Sequence, residues 1–257
     1  MDSNNMKTLK ALAVKAGEKI LEIYGKADFQ VDQKDDSSPL TLADTLANDI
    51  IVAGLKEMTP EIPIISEENK LVDYHTRKEY DRFWLVDPLD GTKEFINRNG
   101  EFTVNIALIE KQRSVSSVVY VPVLDELYYA TKGHGAFLEK NGNKTKITCC
   151  PYHPEESYLQ IICSRSHLNE ETSKFVSNYP KHQKIAKGSS LKFLILSAGN
   201  AHIYPRLAPT MEWDTAAAQI ILEESGGSVI DWETKKPLIY NKESLRNPYF
   251  VAYANQL

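Results

Sequence analysis

The segment 87–92, Asp-Pro-Leu-Asp-Gly-Thr, is the part of the chain best suited to metal chemistry. An apolar run ends at Asp87, Pro88 bends the chain, and Asp90 follows within one short turn. Both carboxylates can therefore face one point, with the carbonyl oxygen of Leu89 between them. Oxygen ligands without sulfur or imidazole suit a hard cation such as Mg²⁺. The segment predicts a magnesium site, and the alternative is a plain turn, which these residue types also favour.

The next two residues suggest how a phosphate could be held beside such a metal. Gly91 permits close approach of the backbone, and Thr92 opens a predicted short helix over residues 92–97. Amide groups at the start of a helix have no partner within the helix and attract anions. The sequence therefore predicts that a metal and main-chain amides grip a phosphate together.

Three further carboxylates have both a functional and a structural interpretation. Glu67 follows an apolar run and could complete the metal site, or it could lie in a solvated acidic loop. Asp214 begins an alanine-rich helical pattern, where it could simply stabilise the helix start. Asp44 stands three residues after Thr41, which is the spacing of a capping box. None of these residues by itself decides between a functional and a structural role.

The elements that must position these side chains change in character along the chain. Apolar spacing predicts helices over residues 6–24 and after Thr41, then short strands at 62–65, 83–86, 102–109, 115–123 and 127–130. Asn141-Gly142 predicts a hairpin in an antiparallel meander. Strands and helices alternate after residue 150, ending with a helix over 214–224 and two more strands. The pattern predicts an α/β protein, with an α+β segment 1–150 for metal binding and an α/β segment 151–257 for substrate binding.

Composition excludes several classes of partner. Thirty Lys and Arg against thirty-five Asp and Glu give a net charge of −5, so we expect no nucleic-acid polymer as a partner. The apolar runs are too short to span a membrane, and the polar start lacks a secretion signal, which predicts a cytoplasmic protein. The three cysteines predict reduced thiols, with no zinc pattern. Peripheral contact with the inner face of a membrane and the choice between monomer and homodimer stay open.

In their order along the chain, these acidic segments resemble the inositol monophosphatase superfamily. Its pattern is Glu-Glu after a strand, then Asp-Pro-(Leu/Ile)-Asp-Gly-Thr, then Trp-Asp before a helix of small residues. Lys93-Glu94, the segment 98–105, and the motifs at 164–167, 188–193 and 204–206 are similar to CysQ-type 3'(2'),5'-bisphosphate nucleotidases of that superfamily. The resemblance implies an αβαβα sandwich, with an antiparallel sheet in the first half and a mixed sheet in the second.

The resemblance also implies a set of metal ligands. Glu67, Asp87 and the Leu89 carbonyl would bind one Mg²⁺, and Asp87, Asp90 and Asp214 would bind a second. A third, weaker ion would lie near Glu67. Two such cations can stabilise the entering and the leaving oxygen of a phosphoryl transfer. Lithium, competing for a magnesium position, would inhibit.

The remaining roles concern the attacking water and the substrate. Thr92, linked to Asp44, would position and deprotonate the water, since a threonine is a poor base without a carboxylate partner. Gly91 and Thr92 would contact the phosphate. The nucleotide would lie against four more residues: His167, Ser189, Lys192 and Arg206. Lys192 and Arg206 could each pair with a phosphate that is not cleaved.

These roles imply a magnesium-dependent phosphatase acting on a small phosphorylated metabolite. The expected substrate is adenosine 3',5'-bisphosphate, which would lose its 3'-phosphate, and its sulfated relative is a second one. No covalent intermediate is required. Two alternatives stay open, an inositol phosphate or fructose bisphosphate phosphatase on the same scaffold, and a non-catalytic sensor that binds the nucleotide.

Overall fold

The computed structural model describes residues 2–26, 31–33, 39–155, 158–165 and 169–255. The helices are α1 (Ser3–Tyr24), α2 (Leu42–Met58), α3 (Tyr74–Arg77), α4 (Thr92–Ile96), α5 (Glu170–Ser177), α6 (Leu191–Ser197) and α7 (Trp213–Glu224). The first strands are β1 (Val31–Gln33), β2 (Pro39–Thr41), β3 (Ile64–Ser66), β4 (Arg82–Asp90), β5 (Thr103–Glu110), β6 (Arg113–Val121) and β7 (Glu126–Thr131). The others are β8 (Ala136–Lys140), β9 (Asn143–Ile147), β10 (Leu159–Ser164), β11 (His182–Lys187), β12 (Ile203–Arg206), β13 (Ser228–Asp231) and β14 (Phe250–Tyr253).

A seven-stranded sheet in the order β3-β4-β5-β6-β7-β8-β9 carries the first half of the chain. All pairs from β4 to β9 are antiparallel, which confirms the predicted meander. β3 runs parallel to β4 at one edge, so the first sheet is mixed and the expectation of an antiparallel sheet was wrong at this edge. The hairpin between β8 and β9 turns at Asn141 and Gly142, both with positive φ. This is the backbone conformation for which an Asn-Gly pair is suited.

Both faces of this sheet are buried, and successive residues of β4 alternate between them. Trp84 and Val86 pack into the core that α1 and α2 form, whereas Phe83 and Leu85 pack into the core that contains α7. A strand covered on both faces is apolar throughout, which is why the sequence shows a continuous apolar run here. The alternation decides where the polar residue that follows, Asp87, must point.

A second sheet in the order β11-β10-β12-β14-β13 carries the other half of the chain. β10 is parallel to β11 and β12, and β14 is antiparallel to β12 and β13. α7 packs on the first sheet and also contacts β13 of the second. α6 contacts α7 on one side and β10 and β12 on the other, and α5 contacts β12. The mixed second sheet and the αβαβα layering agree with the fold class expected from the sequence. The boundary near residue 150 stays a prediction.

Several elements differ in detail from the sequence-based expectation. β4 continues through Pro88 to Asp90, and β6 stops at Val121 before a single 3₁₀ turn. The pattern analysis missed β11, in which no residue is fully buried and which shows no apolar alternation. The cysteines form no disulfide, as predicted. Among the described residues, no helix combines the length and the apolar character needed to cross a membrane.

Candidate active site

Parallel pairing of β3 with β4 brings Glu67 beside Asp87. Ser66 lies opposite Val86, and the amide of Glu67 donates to the carbonyl oxygen of Val86 at 3.1 Å. Asp87 continues the series of β4 residues that face α7, and Asp214 lies in the first turn of that helix. One carboxylate oxygen from each of Glu67, Asp87 and Asp214 lies within 4.8 Å of the others. Three distant parts of the sequence thus meet at one point.

A bulge in β4 gives Asp90 its orientation. Asp87 pairs with Asn105 and Asp90 pairs with Thr103, so β4 uses one residue more than β5 between these two pairs. In a regular strand, residues 87 and 90 would point to opposite faces of the sheet. The additional residue reverses this and returns Asp90 to the face of Asp87. The Leu89 side chain lies on the opposite face of the sheet, where it is buried in the core that α1 and α2 form.

Asp90 is held mainly by Ser190, which the sequence analysis did not single out. Its Oδ2 accepts hydrogen bonds from the amide of Ser190 at 2.6 Å and from the Ser190 hydroxyl at 2.7 Å. Ser190 Oγ also lies 2.9 Å from the carbonyl oxygen of Asp214 and 3.0 Å from Asn105 Nδ2, which donates to it. Ser190 therefore joins the β4 bulge to the start of α7.

The carboxylates of this cluster repel one another. Burial raises the pKa of Asp87 well above its usual value, and the charges of Glu67, Asp90 and Asp214 raise it further. The pKa of Asp214 is raised in the same way, by burial and then by Asp90 and Glu67. Asp87 is only 2% exposed, so water cannot screen the repulsion. A bound cation would offset this repulsion between buried carboxylates.

The chemistry of the donors indicates which positive charge fits. The side chains that converge are carboxylates only, without a cysteine or histidine. Oxygen donors of this kind favour magnesium or a similar hard cation. Asp87 Oδ1 also accepts the amide of Leu89 at 3.0 Å, which fixes the orientation of this carboxylate. The residues present therefore fit a divalent metal site.

Asp44 makes both contacts that the sequence suggested, one with the cap residue Thr41 and one with Thr92. Its Oδ2 accepts from the Thr41 amide at 2.8 Å and from the Thr41 hydroxyl at 2.6 Å, which completes the capping box of α2. Its Oδ1 accepts from the hydroxyl of Thr92 at 3.2 Å. Asp44 is 1% exposed, so the cap fixes a buried carboxylate against Thr92. Thr92 lines the same cavity as Glu67, Asp90 and Asp214.

Gly91 occupies a position that a larger residue would not fit. Its φ of +98° lies in the left-handed region, and an added Cβ would stand 3.0 Å from the Glu101 carbonyl oxygen and 3.1 Å from Ser189 Cβ. The turn that contains Asp90 and Gly91 therefore lies close to the turn that contains Ser189. Gly91 thus permits both the bend and the close approach of these two segments.

Gly91→Ala is therefore expected to lower the free energy of unfolding by at least about 2 kcal/mol and to lower kcat/KM as well. Gly133→Ala is the matched control, because Gly133 also has a positive φ of +78° but no atom within 4 Å of an added Cβ. We expect it to cost only about 1 kcal/mol, from backbone strain alone. Denaturant unfolding of both variants measures the difference, and equal losses would show that close packing at Gly91 is unimportant.

Three further predicted substrate residues, Ser189, Lys192 and Arg206, line the same cavity, which has a volume of about 300 Å³. Lys192 donates to the carbonyl oxygen of Ser189 at 2.5 Å, and burial lowers its pKa to about 8 although Asp90 partly opposes the shift. Arg206 donates to Ser164 at 2.6 Å and to the Pro209 carbonyl at 2.7 Å. The described residues provide no partner for its buried Nε. His167 lies outside the described residues.

Comparison with known proteins places the chain in a family. The inositol monophosphatase family matches residues 2–254, so the chain belongs to that family. The 3'(2'),5'-bisphosphate nucleotidase CysQ of Salmonella typhimurium is 44% identical over 240 residues, which cover 93% of this chain and 95% of the relative. The protein of the same name from Escherichia coli K12 is 43% identical over 241 residues, with 93% and 95% of the two chains covered.

Solved structures agree with this assignment. The crystal structure of CysQ from Bacteroides thetaiotaomicron, described as a bacterial member of the inositol monophosphatase family, has a TM-score of 0.86 at 42% identity. The match covers 99% of this chain and 98% of that one. The suhB protein of Bartonella henselae is more distant, with 26% identity and a TM-score of 0.80 over 98% of this chain and 94% of that chain. The likeness in fold is therefore wider than the likeness in sequence.

Proposed function

We propose that this chain is a magnesium-dependent 3'(2'),5'-bisphosphate nucleotidase that hydrolyses the 3'-phosphate of adenosine 3',5'-bisphosphate to give AMP and phosphate. The observation that carries the proposal is the meeting of Glu67, Asp87 and Asp214 within 4.8 Å, beside a cavity that Glu67, Asp214 and Thr92 all line. The relatives named CysQ support the substrate, since their identity of 43–44% extends over nearly the whole chain.

Glu67, Asp87, Asp90, Asp214 and the Leu89 carbonyl would hold two magnesium ions, with a third near Glu67. When bound, magnesium supplies charge neutralisation and Lewis acidity at the phosphoryl group. Asp90 keeps one oxygen on Ser190, which leaves its other carboxylate oxygen for a cation. Hydrogen bonds from the protein fix the orientation of Asp87, Asp90 and Asp214.

The remaining residues of the site orient the reactants. Asp44 accepts a hydrogen bond from the Thr92 hydroxyl, so the oxygen of Thr92 can in turn accept a hydrogen bond from the attacking water and help to deprotonate it. The turn at Gly91 and Thr92 would hold the phosphate, and Ser189, Lys192 and Arg206 would contact the nucleotide. We extend the same role to His167. The chain needs no covalent intermediate, because positioning and electrostatics are sufficient for this reaction class.

Phosphate release with Mg²⁺ tests the proposal. The purified protein is assayed with adenosine 3',5'-bisphosphate, its sulfated relative, inositol 1-phosphate and fructose 1,6-bisphosphate. We expect the highest kcat/KM with an adenosine substrate, and product analysis should show AMP from the bisphosphate. Faster hydrolysis of inositol or fructose phosphates would favour the alternative phosphatases, and binding without turnover of any compound would favour a sensor. Lithium is expected to inhibit the reaction.

The raised pKa values of Asp87 and Asp214 lead to a pH-dependent stability in the metal-free protein. The folded state keeps protons that the unfolded state releases near its ordinary pKa of about 3.9. These bound protons therefore stabilise the folded state fully at pH values below about 3.9. The stabilisation is lost as the pH rises through the raised pKa values of the folded state.

Asp214→Asn removes one of these charges, while its amide oxygen can still accept from the Met211 amide. We expect the Tm of the metal-free variant to exceed that of wild type by an amount that grows as pH rises from about 4 toward neutrality. Mg²⁺ should stabilise wild type more strongly at the upper end of this range, since protons compete for the ligands. Thermal unfolding with EDTA and with Mg²⁺ measures both effects, and a pH-independent difference would contradict the electrostatic explanation.

A further inference from the structure

Two cationic residues outside the predicted set stand where β10 and β11 end together. Ser164 pairs with Lys187 in the parallel register, and the amide of the next residue, Arg165, donates to the Lys187 carbonyl oxygen at 3.2 Å. Arg165 and Lys187 both line the cavity that reaches Thr92 and Asp214. The sheet register therefore brings two positive side chains together on the substrate side of this cavity.

Glu101 holds these two side chains in place. Its carboxylate accepts from Arg165 Nε at 3.1 Å, from Arg165 Nη2 at 2.9 Å and from Lys187 Nζ at 3.1 Å. It also accepts from the amide of Gly188 at 2.8 Å. Burial acts to raise the pKa of Glu101, but the hydrogen bonds from Arg165, Gly188 and Lys187 outweigh burial and lower it. Glu101 is therefore a positioning residue that stays ionised.

Arg165 and Lys187 keep hydrogen-bond donors that Glu101 does not use. The charge of Glu94 also acts on Arg165, but Arg165 Nη1 has no hydrogen bond to the described residues. Lys187 uses one donor on Glu101, and an ammonium group has three. Their side chains are 45% and 37% exposed, so an anion can reach them from solvent.

The deeper cations of the cavity are less available. Lys192 and Arg206 are both at least nine-tenths buried, and each already donates to protein oxygens. Lys192 also loses its charge in the alkaline range, since its pKa is lowered to about 8 by burial. A phosphate dianion needs several charge-assisted hydrogen bonds. Arg206 Nε is without a partner among the described residues, and the outer pair adds solvent-exposed donors to those that the deeper pair still offers.

We propose that Arg165 and Lys187 bind the second anionic group of the substrate and thereby determine the preference for a nucleoside bisphosphate over a nucleoside monophosphate. The inference rests on the proposed function and names two specificity residues of the same site. A purely structural role, in which the two cations only brace the turn that carries Ser189, is the competing explanation. The two explanations differ in which substrate is affected.

The test compares adenosine 3',5'-bisphosphate with adenosine 3'-monophosphate, which lacks the second anionic group. We expect the double variant Arg165→Gln/Lys187→Gln to raise KM for the bisphosphate by about tenfold or more, with kcat within about twofold. KM for the monophosphate should change by less than about twofold. The single variants should each give part of the effect. Lys184→Gln is the control, because Lys184 is an exposed lysine of β11 that does not line the cavity.

Three outcomes separate the possibilities. Equal losses with both nucleotides would overturn the inference and assign the pair a structural role, and an unchanged KM for the bisphosphate would overturn it as well. If wild type hydrolyses neither nucleotide but does hydrolyse an inositol phosphate, the proposed function fails first and the inference falls with it. Should the double variant unfold, Lys187→Gln alone decides the question, because its smaller predicted shift is still specific to the bisphosphate.

Discussion

Asp87→Asn is expected to reduce kcat by about a thousandfold or more while the fold is kept. The change preserves the shape of the side chain but removes the charge at the centre of the carboxylate cluster, where Asp87 faces both Glu67 and Asp214. If Asp87 were only a turn residue after a buried strand, an asparagine would serve equally well, since both residue types favour turns. Steady-state phosphate release with saturating Mg²⁺ measures the effect.

A stability measurement on the same variant separates loss of metal from loss of fold. Removing a buried like charge should raise the Tm of the metal-free protein, and the increase in Tm that Mg²⁺ gives to wild type should largely disappear. Asp49→Asn is the control, since Asp49 is an exposed carboxylate on α2. An active Asp87→Asn protein with an intact response to Mg²⁺ would contradict the assignment.

Thr92→Val is expected to lower kcat by about a hundredfold to ten-thousandfold with little effect on metal binding. Valine has nearly the shape of threonine but no hydroxyl, so it removes the hydrogen bond to Asp44 without opening a cavity. Thr92→Ser should keep most of the activity. The Mg²⁺-dependent increase in Tm should stay close to wild type, in contrast to Asp87→Asn. A Thr92→Val enzyme with kcat within a few fold of wild type would remove Thr92 from the mechanism.

Asp44 requires its own control because it also caps α2. Asp44→Asn should lose activity by a similar factor, whereas Thr41→Ala removes the cap hydroxyl without touching Thr92. We expect Thr41→Ala to cost about 1 kcal/mol of unfolding free energy and to keep kcat near wild type. If the two variants lost activity equally, capping alone would explain Asp44.

The acidic motifs could be read from the sequence because each follows a recognisable element. Asp87 ends an apolar run and Asp214 begins a helical pattern, and the structure has both residues at those places. Their meeting could not be derived from local pattern. It depends on the parallel register of β3 with β4 and on the bulge that turns Asp90 to the face of Asp87, and both are long-range features of sheet pairing.

The substrate side of the cavity was less accessible to sequence reasoning. β11 is an exposed edge strand without apolar alternation, so the position of Lys187 beside Arg165 gave no local signal. Glu101 and Ser190 were part of recognised segments, but their roles rest on hydrogen bonds between residues 64 to 100 positions apart. The capping-box spacing pointed to Asp44, but it accounts only for the hydrogen bonds of Oδ2 and not for the bond from Thr92 to Oδ1.

We propose that carboxylates from separate parts of the chain hold divalent cations within reach of Thr92. Crystals grown with Mn²⁺ in place of Mg²⁺ test it most directly, because anomalous scattering locates manganese. We expect two strong anomalous peaks at about 2.0–2.2 Å from oxygens of Glu67, Asp87, Asp90 and Asp214. Manganese bound only elsewhere on the protein, or no peak at this cluster at saturating Mn²⁺, would contradict the claim.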